Sequence, residues 1–239
     1  MGKLDILAFG AHPDDVELSC AGTILKHIKQ GKKVGIVDLT AGELGTRGSA
    51  KLRKNEAVKA MKMMGIHARE CLNLRDGFFD HNEESVVKVI KAIRKYQPHL
   101  VLANAPSDRH PDHGRASKIV SEACFYSGLS KLKTHVGNKT QESWRPQAVY
   151  HYIQDRYATP DFVIDITDFF EKKMEVILCY ESQFHNPLYK GVETPISSKE
   201  FLEYLRARAV AFGRNINCKY AEGYLTERTP GVDSFFDLL

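Results

Sequence analysis

Residues 4–15 read LDILAFGAHPDD, a short apolar run that ends in an imidazole and two carboxylates. A run of this length bounded by polar residues predicts a buried β-strand over residues 4–11. Residues 16–30 then follow a helical pattern, and Gly31 is suited to close it as a C-terminal cap. Residues 33–39, KVGIVDL, predict a second buried strand. The chain therefore opens as a β-α-β unit, in which the two strands are parallel.

The same alternation of strands and helices continues along the chain. Further strands are predicted at residues 70–74, 99–103, 148–153 and 162–166. Further helices are predicted at residues 49–64, 83–96, 114–127, 167–183 and 198–212, with Ser49 and Gly65 capping the first and Gly213 closing the last. Residues 131–146 are polar and predict a loop. The pattern predicts an α/β fold with a mostly parallel sheet flanked by helices, in a single domain over residues 1–239.

Composition and charge argue against several classes of protein. The 34 Lys and Arg against 30 Asp and Glu leave a net charge of +4, which is too small and too scattered to indicate nucleic-acid binding. The five cysteines are distant from one another and odd in number, which favours buried free thiols over a disulfide framework or a thiolate zinc site. No apolar stretch approaches the ~20 residues that span a bilayer. We therefore expect a cytoplasmic protein that binds neither nucleic acid nor membrane.

Two polar segments follow predicted strands and stand just before helices. They are residues 12–15, HPDD, and residues 109–113, RHPDH. Either one alone is a weak signal, because Pro-Asp is common at turns and Asp often caps helices. Ligands of open parallel sheets bind at the carboxyl ends of strands, where the strand order reverses. If strand 4–11 lies beside strand 99–103, the segments face each other there, and together they predict a metal site.

His12, Asp15 and His113 are the residue types that a catalytic zinc ion requires. Such a site takes about three His, Asp or Glu ligands and keeps one position open for water. One tight turn can direct His12 and Asp15 at a single ion, and His113 completes the set from the second segment. Asp14 is then a spare carboxylate beside the bound water, and we predict that it acts as general base. Iron(II) or cobalt are alternatives to zinc, because the ligand types suit all three metals.

His110 and Asp112 are predicted to support the reaction from the second segment. His110, as an imidazolium, would stabilise the tetrahedral oxyanion or protonate the leaving amine. Asp112 would hold the orientation of an imidazole. Asp76 follows another predicted strand, and it either lines the pocket or belongs to a turn.

Residues 12–15 and 110–113 together resemble the paired motifs of the LmbE/PIG-L family of zinc-dependent N-acetylglucosamine deacetylases. Residues 41–48, AGELGTRG, followed by Arg53 and Glu56, are similar to the segment after the family's second strand. The sequence is most similar to the bacillithiol-biosynthesis deacetylases, through residues 108–109 and residues 180–184, YESQF. Without the resemblance, the spacing of Arg53 and Glu56 would indicate a surface ion pair.

The resemblance implies a Rossmann-like fold and hydrolysis of the N-acetyl group of an N-acetylglucosamine conjugate, with N-acetylglucosaminyl malate as the leading candidate. It implies that Arg53 contacts sugar hydroxyls, and we also assign Glu43 to substrate binding. Arg109 would pair with a carboxylate of the aglycone, or else with Asp112. Some members carry a tyrosine just before the second motif, used toward the oxyanion. Residues 107–109 here read SDR, so that role is vacant or passes to Arg109 or His110. Members are often homo-oligomers, hexamers among them.

Two other functions fit parts of the sequence. A metal phosphoesterase often uses two ions and a richer set of carboxylates, so one His-Asp-His site serves it less well. A non-catalytic metal-binding module would more often fill all four positions with side chains. Dinucleotide binding is disfavoured, because residues 10–14, GAHPD, stand where a Gly-x-Gly-x-x-Gly loop would be needed.

Overall fold

Strands and helices alternate through residues 2–189 and 191–238, the part of the chain that the computed structural model describes. The strands are β1 (Ile6–Gly10), β2 (Val34–Thr40), β3 (Ala68–Leu74), β4 (Leu100–Ala103), β5 (His135–Val136), β6 (Lys139–Thr140), β7 (Ala148–Tyr152), β8 (Phe162–Asp165) and β9 (Ala221–Thr226). The helices are α1 (Asp15–Lys29), α2 (Ala50–Met64), α3 (Glu83–Tyr96), α4 (Pro111–Tyr126), α5 (Phe170–Ile177) and α6 (Lys199–Arg214). Short 3₁₀ turns cover Thr167–Phe169 and Phe235–Asp237.

Seven strands form the central sheet in the order β3-β2-β1-β4-β7-β9-β8. The first five strands in this order are parallel to one another. β9 runs antiparallel to both β7 and β8. The chain moves from β1 to β2 on one side and later places β4 on the other side of β1, so the strand order reverses there. A crevice opens at the carboxyl ends of β1 and β4, and the two polar segments lie at this crevice.

The central strand β1 is buried on both faces. Leu7 and Phe9 belong to a core cluster with α3 and α4, whereas Ile6 and Ala8 belong to a cluster with α1, α2 and α5. A strand covered on both faces requires apolar residues without alternation, and residues 6–10 read ILAFG. The single α/β domain predicted from the sequence, with its mostly parallel sheet flanked by helices, is therefore confirmed. None of the helices within residues 2–189 and 191–238 combines the length and the apolar character that a bilayer span requires.

The predicted helix over residues 167–183 is wrong in its second half. It begins as a 3₁₀ turn, and α5 ends at Ile177. The chain then folds into turns that bring the Tyr180 hydroxyl to within 2.9 Å of a carboxylate oxygen of Glu17 and Gln183 to the guanidinium of Arg53. A continued helix would direct these side chains differently, so contacts distant in sequence override the local helical pattern.

Two further differences lie in the last part of the chain. Gly213 lies inside α6, which ends at Arg214, and it does not close the helix. A Cβ at Gly213 would lie 2.6 Å from the carbonyl oxygen of Cys218, so glycine is required there for close backbone approach. The strand β9 was not predicted, because residues 221–226, AEGYLT, mix a charge and a glycine into a short apolar run.

Glu222 on β9 connects this strand to α1. α1 is kinked at Cys20, which has non-helical torsion angles. Beyond the kink, the carboxylate of Glu222 accepts hydrogen bonds from the backbone N–H groups of Gly22 and Thr23 over 3.0 and 2.7 Å. The buried ammonium of Lys173 donates to the same carboxylate over 2.6 Å. One buried carboxylate thus satisfies two backbone donors and one buried cation.

We predict that Glu222→Ala lowers the free energy of unfolding by about 3–5 kcal/mol, because it leaves a buried cation unpaired. Chemical denaturation followed by circular dichroism measures this change. The matched control is Glu171→Ala, which removes an exposed ion pair with Arg206 and should cost less than about 1 kcal/mol. Equal losses in the two variants would contradict the role assigned to Glu222.

Candidate active site

The carboxylate of Asp15, the first residue of α1, lies at the crevice. The backbone N–H of His12 and the side-chain amide of Asn104 each donate to Asp15 Oδ2 over 3.0 Å. The amide of Gln154 donates to Asp15 Oδ1 over 3.2 Å. Asn104 directly follows β4 and Gln154 stands two residues after β7, so groups at the ends of β1, β4 and β7 converge on one carboxylate. Burial by itself would raise the pKa of Asp15, but the charges of His113 and His12 lower it below its ordinary value.

His12 lies in the loop between β1 and α1, with a carboxylate near each ring nitrogen. Nδ1 is 3.7 Å from Asp15 Oδ2. Nε2 is 3.0 Å from Asp76 Oδ1 and 3.2 Å from Asp112 Oδ2. In the neutral ring these two acceptors assign the proton to Nε2, which leaves the lone pair of Nδ1 on the side of Asp15.

His113, in the first turn of α4, has the complementary arrangement. Asp108 Oδ2 lies 2.5 Å from its Nδ1, and Nε2 lies 3.2 Å from Asp15 Oδ1. The hydrogen bond to Asp108 assigns the proton of the neutral ring to Nδ1 and leaves the lone pair on Nε2. In their neutral forms, the two histidines would therefore each keep a free lone pair on the side of Asp15, one from each polar segment.

The site carries more negative charge than neutral histidines can balance. Burial lowers the pKa of His12, but hydrogen bonds to Asp112 and Asp76 outweigh burial and bring that pKa to about 10. Burial likewise lowers the pKa of His113, and the nearby carboxylates of Asp15 and Asp108 bring it to about 9. A divalent cation would satisfy the same excess of carboxylate charge.

Two groups of three potential ligand atoms lie within 4.8 Å of one another in the described part of the chain. They are His12 with His110 and His113, and His12 with Asp76 and Asp112. The predicted set of His12, Asp15 and His113 is not one of these two groups. Its histidines face different oxygens of Asp15, with His12 Nδ1 3.7 Å from Oδ2 and His113 Nε2 3.2 Å from Oδ1. Two imidazoles and a carboxylate are donor types that zinc takes, so the chemistry of the residues around Asp15 suits a zinc ion.

Asp14 lies beside this group in a strained backbone conformation. Its φ is +120°, which is unusual for a residue with a side chain. Its Oδ2 accepts a hydrogen bond from Arg53 Nη2 over 3.3 Å. Burial raises the pKa of Asp14 to about 7, because it disfavours the carboxylate more than Arg53 stabilises it. Asp14 is thus a buried acid whose pKa lies near neutral pH.

Arg53 is buried, so the surface ion pair with Glu56 that its spacing alone would indicate does not form. Arg53 Nη2 also donates to Gln183 Oε1 over 2.6 Å. Glu56 instead accepts from the backbone N–H and hydroxyl of Ser182, each over 2.8 Å, and so fixes the turn that carries Gln183. A Cβ at Gly42 would lie 2.0 Å from Arg53 Nη1, so the guanidinium requires glycine at that position.

The structure corrects the protonation state predicted for His110. Its Nδ1 accepts the backbone N–H of Asp112 over 3.2 Å, as the N-cap of α4. Burial lowers the pKa of His110, and the neighbouring His12 and His113 lower it further. The ring is therefore neutral, with its proton on Nε2, where it can donate a hydrogen bond. The predicted imidazolium is wrong.

Arg109 and Glu43, which were predicted to bind substrate, each have a partner within the protein. The guanidinium of Arg109 is paired with Asp155, and its side chain is 47% exposed. The arginine that pairs with Asp112 is Arg115, 2.7 Å away, so the alternative pairing of Arg109 with Asp112 is wrong. Glu43 is exposed, and its carboxylate accepts the backbone N–H of Asp76 over 2.8 Å. Glu43 thus holds the loop that carries Asp76.

Sequence reasoning missed several polar residues that hold the site. Asn104 and Gln154 were not singled out, Asp108 was used only for the family resemblance, and Asp76 was left open between pocket and turn. Asp76 contacts His12 and lines the pocket. Asn104, Asp76 and Gln154 each follow a strand of the parallel sheet by one or two residues. A search for polar residues just after every predicted strand would have found them.

A cavity of about 260 Å³ opens over these groups. Its walls include His12, Asp14, Asp15, Arg53, Asp76, Arg109, His110 and His113. Ligand pockets commonly measure ~300–1,000 Å³, so the enclosed space suits roughly one sugar unit. The far wall is built by Leu18 and Ser19 of α1 and by Leu205 and Arg208 of α6.

Known proteins are similar to this chain in sequence. Residues 7–124 match the family model described as PIG-L, GlcNAc-PI de-N-acetylase. The diacetylchitobiose deacetylase of Thermococcus kodakarensis is 28% identical over 228 residues, which cover 91% of this chain and 81% of that protein. The 4-oxalmesaconate hydratase of Pseudomonas putida is also 28% identical, over 91% of this chain and 86% of that protein.

Solved structures share the fold over almost the whole chain. The conserved protein TT1542 from Thermus thermophilus superposes with a TM-score of 0.84 at 30% identity. That match covers 96% of this chain and 98% of the other. The matched family segment ends within α4, so it contains both polar segments and the first four strands of the sheet.

We predict that the protein binds one divalent ion per chain and that His113→Ala abolishes stoichiometric binding, because it removes a nitrogen directed at Asp15. Asp108→Ala should weaken the affinity for zinc about 10- to 100-fold, since it removes the partner that orients His113. Competition titration against a chelating dye, with metal content by mass spectrometry, measures both effects. His81→Ala, which alters an exposed histidine paired with Glu122, is the control and should leave affinity unchanged. Unchanged affinity in His113→Ala would remove this residue from the ligand set.

Proposed function

Because this chain belongs to the PIG-L family of de-N-acetylases, we propose that it is a metal-dependent hydrolase that removes the acetyl group from an N-acetylglucosamine conjugate and releases acetate. The observation that carries the proposal is the cavity that brings together His12, Asp15 and His113 with the carboxylate of Asp14. Three ligands and one spare acid are what a mononuclear hydrolytic site needs.

We assign the metal to His12 Nδ1, Asp15 and His113 Nε2. The alternative group of His12, Asp76 and Asp112 would use His12 Nε2 and would leave His113, which faces Asp15, outside the ligand set. Asp76 Oδ2 accepts the backbone N–H of Leu44, and Asp112 Oδ2 accepts that of Gly77. Asp76 and Asp112 then orient the imidazole of His12 from behind. Zinc is the metal that the residue types favour, with iron(II) or cobalt as alternatives.

When bound, such an ion polarises the acetyl carbonyl and lowers the pKa of a bound water toward about 7. Asp14 accepts the proton of the attacking water, and its pKa near 7 allows it to give that proton up later. Arg53 holds the carboxylate of Asp14 in place from one side. The strained backbone of Asp14 keeps this carboxylate inside the cavity, next to Asp15.

The neutral imidazole of His110 donates its Nε2 proton as a hydrogen bond to the developing oxyanion. No tyrosine precedes the second motif here, and Arg109 is paired with Asp155, so His110 is the available donor. Its ring centroid lies 4.6 Å from that of His12, and His110 lines the same cavity. An oxyanion donor fixed by a helix N-cap needs little reorganisation during the reaction.

The sugar is proposed to lie between Arg53 and the second polar segment, with its hydroxyls toward Arg53. N-acetylglucosaminyl malate, the substrate in bacillithiol biosynthesis, is the first conjugate to test because of the similarity to the bacillithiol deacetylases. A homo-oligomer, hexameric among the forms to expect, is part of the same proposal. Size-exclusion chromatography with light scattering measures that state directly.

The first test compares reactions. We expect the zinc-loaded protein to release acetate from a panel of N-acetylglucosamine conjugates and to lose that activity after chelation. A phosphoesterase would release phosphate from sugar phosphates in parallel assays. A hydratase, the activity named for the Pseudomonas putida relative, would add water to an unsaturated carboxylate such as 4-oxalmesaconate without releasing acetate. Acetate release from none of the conjugates would refute the proposed deacetylase activity.

The second test concerns Asp14. We predict that Asp14→Asn lowers kcat by about 10²- to 10⁴-fold while zinc affinity remains close to that of the unchanged protein, because the amide cannot accept the proton. Asparagine tolerates positive φ, so the backbone should persist. Asp80→Asn, in an exposed loop, is the control. Full activity in Asp14→Asn would show that another group is the base.

A further inference from the structure

Arg208 of α6 lines the cavity with its guanidinium buried. The residue is only 8% exposed. Nη2 donates to the backbone carbonyl of Leu18 over 3.3 Å, and in the described residues no carboxylate forms an ion pair with it. Burial lowers the pKa of Arg208 below its ordinary value. A buried cation without a partner costs several kcal/mol, so its persistence next to a cavity calls for an explanation.

Other arginines in the interior have closer partners. Arg47, also without a carboxylate partner in the described residues, lies with its guanidinium carbon 3.8 Å from the centroid of the Tyr189 ring. Arg53 and Arg69 contact carboxylates. Arg94 has no carboxylate partner in the described part of the chain, but it donates to the carbonyls of Ser127, Leu132 and Leu129 and to the hydroxyl of Thr134, all within 3.0 Å. Arg208 has one long hydrogen bond where Arg94 has four. The other donors of Arg208 have no partner among the described residues, and Arg208 lines the cavity.

Among the carboxylates whose charges act on Arg208, Glu222 and Asp155 already have other cations as partners. Glu222 is bound by Lys173 and by the two backbone N–H groups beyond the kink of α1. Asp155 is bound by Arg109. Neither carboxylate can turn to Arg208 without leaving a second cation unpaired.

Ser19 provides an independent observation on the same wall. It is 3% exposed, its hydroxyl oxygen has no hydrogen-bond partner among the described residues, and it lines the cavity with Arg208. It directly follows Leu18, whose carbonyl Arg208 contacts. A buried hydroxyl without a partner is as uncommon as a buried unpaired guanidinium. The guanidinium of Arg208 and the hydroxyl of Ser19 thus both have unused hydrogen-bond donors, and both residues line the same cavity.

The surrounding wall is apolar. Ile196, Phe201 and Leu205 line the cavity next to Arg208. Such surroundings exclude water and strengthen the attraction between a guanidinium and an anion. Guanidinium groups match the geometry of carboxylate and phosphate oxygens.

We propose that this wall is a subsite for an oxyanion, a carboxylate or a phosphate, that the substrate carries on its aglycone, with Arg208 as the anchor and Ser19 as a second donor. The proposal rests on the deacetylase function above and narrows its substrates to anionic conjugates of N-acetylglucosamine. The sequence predicted Arg109 as the partner of an aglycone carboxylate, and the proposal assigns that role to Arg208 instead.

Arg208 also supports the kink of α1 through the carbonyl of Leu18, so a test must separate binding from structure. A merely structural role would affect neutral and anionic substrates alike. A binding role would affect the anionic ones alone. Arg206→Gln is the matched control, because Arg206 lies on the same helix but pairs with the exposed Glu171.

The experiment measures kcat/KM for three conjugates: a carboxylate-bearing glycoside of N-acetylglucosamine, N-acetylglucosamine 1-phosphate and the neutral methyl glycoside. We expect the protein to prefer at least one anionic conjugate. Arg208→Gln should lower kcat/KM for that conjugate about 10- to 100-fold, mainly through KM, and change the value for the methyl glycoside less than about 3-fold. Arg208→Lys should retain part of the preference. Comparison of kcat/KM for the carboxylate-bearing glycoside with that for the 1-phosphate identifies the preferred anion.

A binding measurement makes the outcome independent of turnover. Calorimetric titration with the deacetylated carboxylate-bearing product should show the same loss of affinity in Arg208→Gln and none in Arg206→Gln. Equal loss for neutral and anionic ligands, or no preference for an anion in the unchanged protein, would overturn the subsite. Absence of acetate release from every conjugate would instead refute the deacetylase function, and calorimetry would still decide the subsite.

Discussion

The carboxylate of Asp15 is the point on which the arrangement of the crevice depends. It accepts hydrogen bonds from the loop after β1, from Asn104 after β4 and from Gln154 after β7. These donors fix both of its oxygens while His12 and His113 approach from either side. A buried carboxylate is tolerated only when its lone pairs are occupied, and here the ends of three adjacent strands occupy them. The same contacts therefore link the segments that follow the three strands and position the groups of the site.

A second layer of contacts determines which atoms remain free for chemistry. Asp76 and Asp112 bind one nitrogen of His12, and Asp108 binds one nitrogen of His113, so each ring keeps a single lone pair for the centre of the site. Among the described residues, the side chain of Asp14 is held by Arg53 alone. Buried charged side chains usually destabilise a fold, and their concentration around the crevice is expected of a functional site.

Much of the fold could be predicted from the sequence, because in its first half local patterns and tertiary structure agree. β1, α2 and α3 lie close to their predicted positions, with Ser49 and Gly65 capping α2 as expected. Their apolar runs and caps are properties of neighbouring residues. The end of α5 and the position of β9 depend instead on side chains brought together from distant parts of the chain, which no local pattern records.

The residues of the candidate site likewise include some that local sequence predicts and others that only the fold brings together. The two His-Pro-Asp segments carry their chemistry in adjacent residues, so the sequence alone selected His12, Asp15 and His113. Asp108, Asn104 and Gln154 matter only once β4 and β7 lie beside β1, and Arg208 only once α6 packs against α1. The neutral state of His110 likewise follows from its place at the start of α4 beside two other histidines. Sequence identified the groups, and the fold set their protonation and partners.

A crystal of the protein grown with zinc, measured at the zinc absorption edge, tests the central claim most directly. We expect one anomalous peak per chain, at about 2.0–2.3 Å from His12 Nδ1, a carboxylate oxygen of Asp15 and His113 Nε2. A peak at His12 Nε2 between Asp76 and Asp112, or two histidines that share no ion, would contradict it.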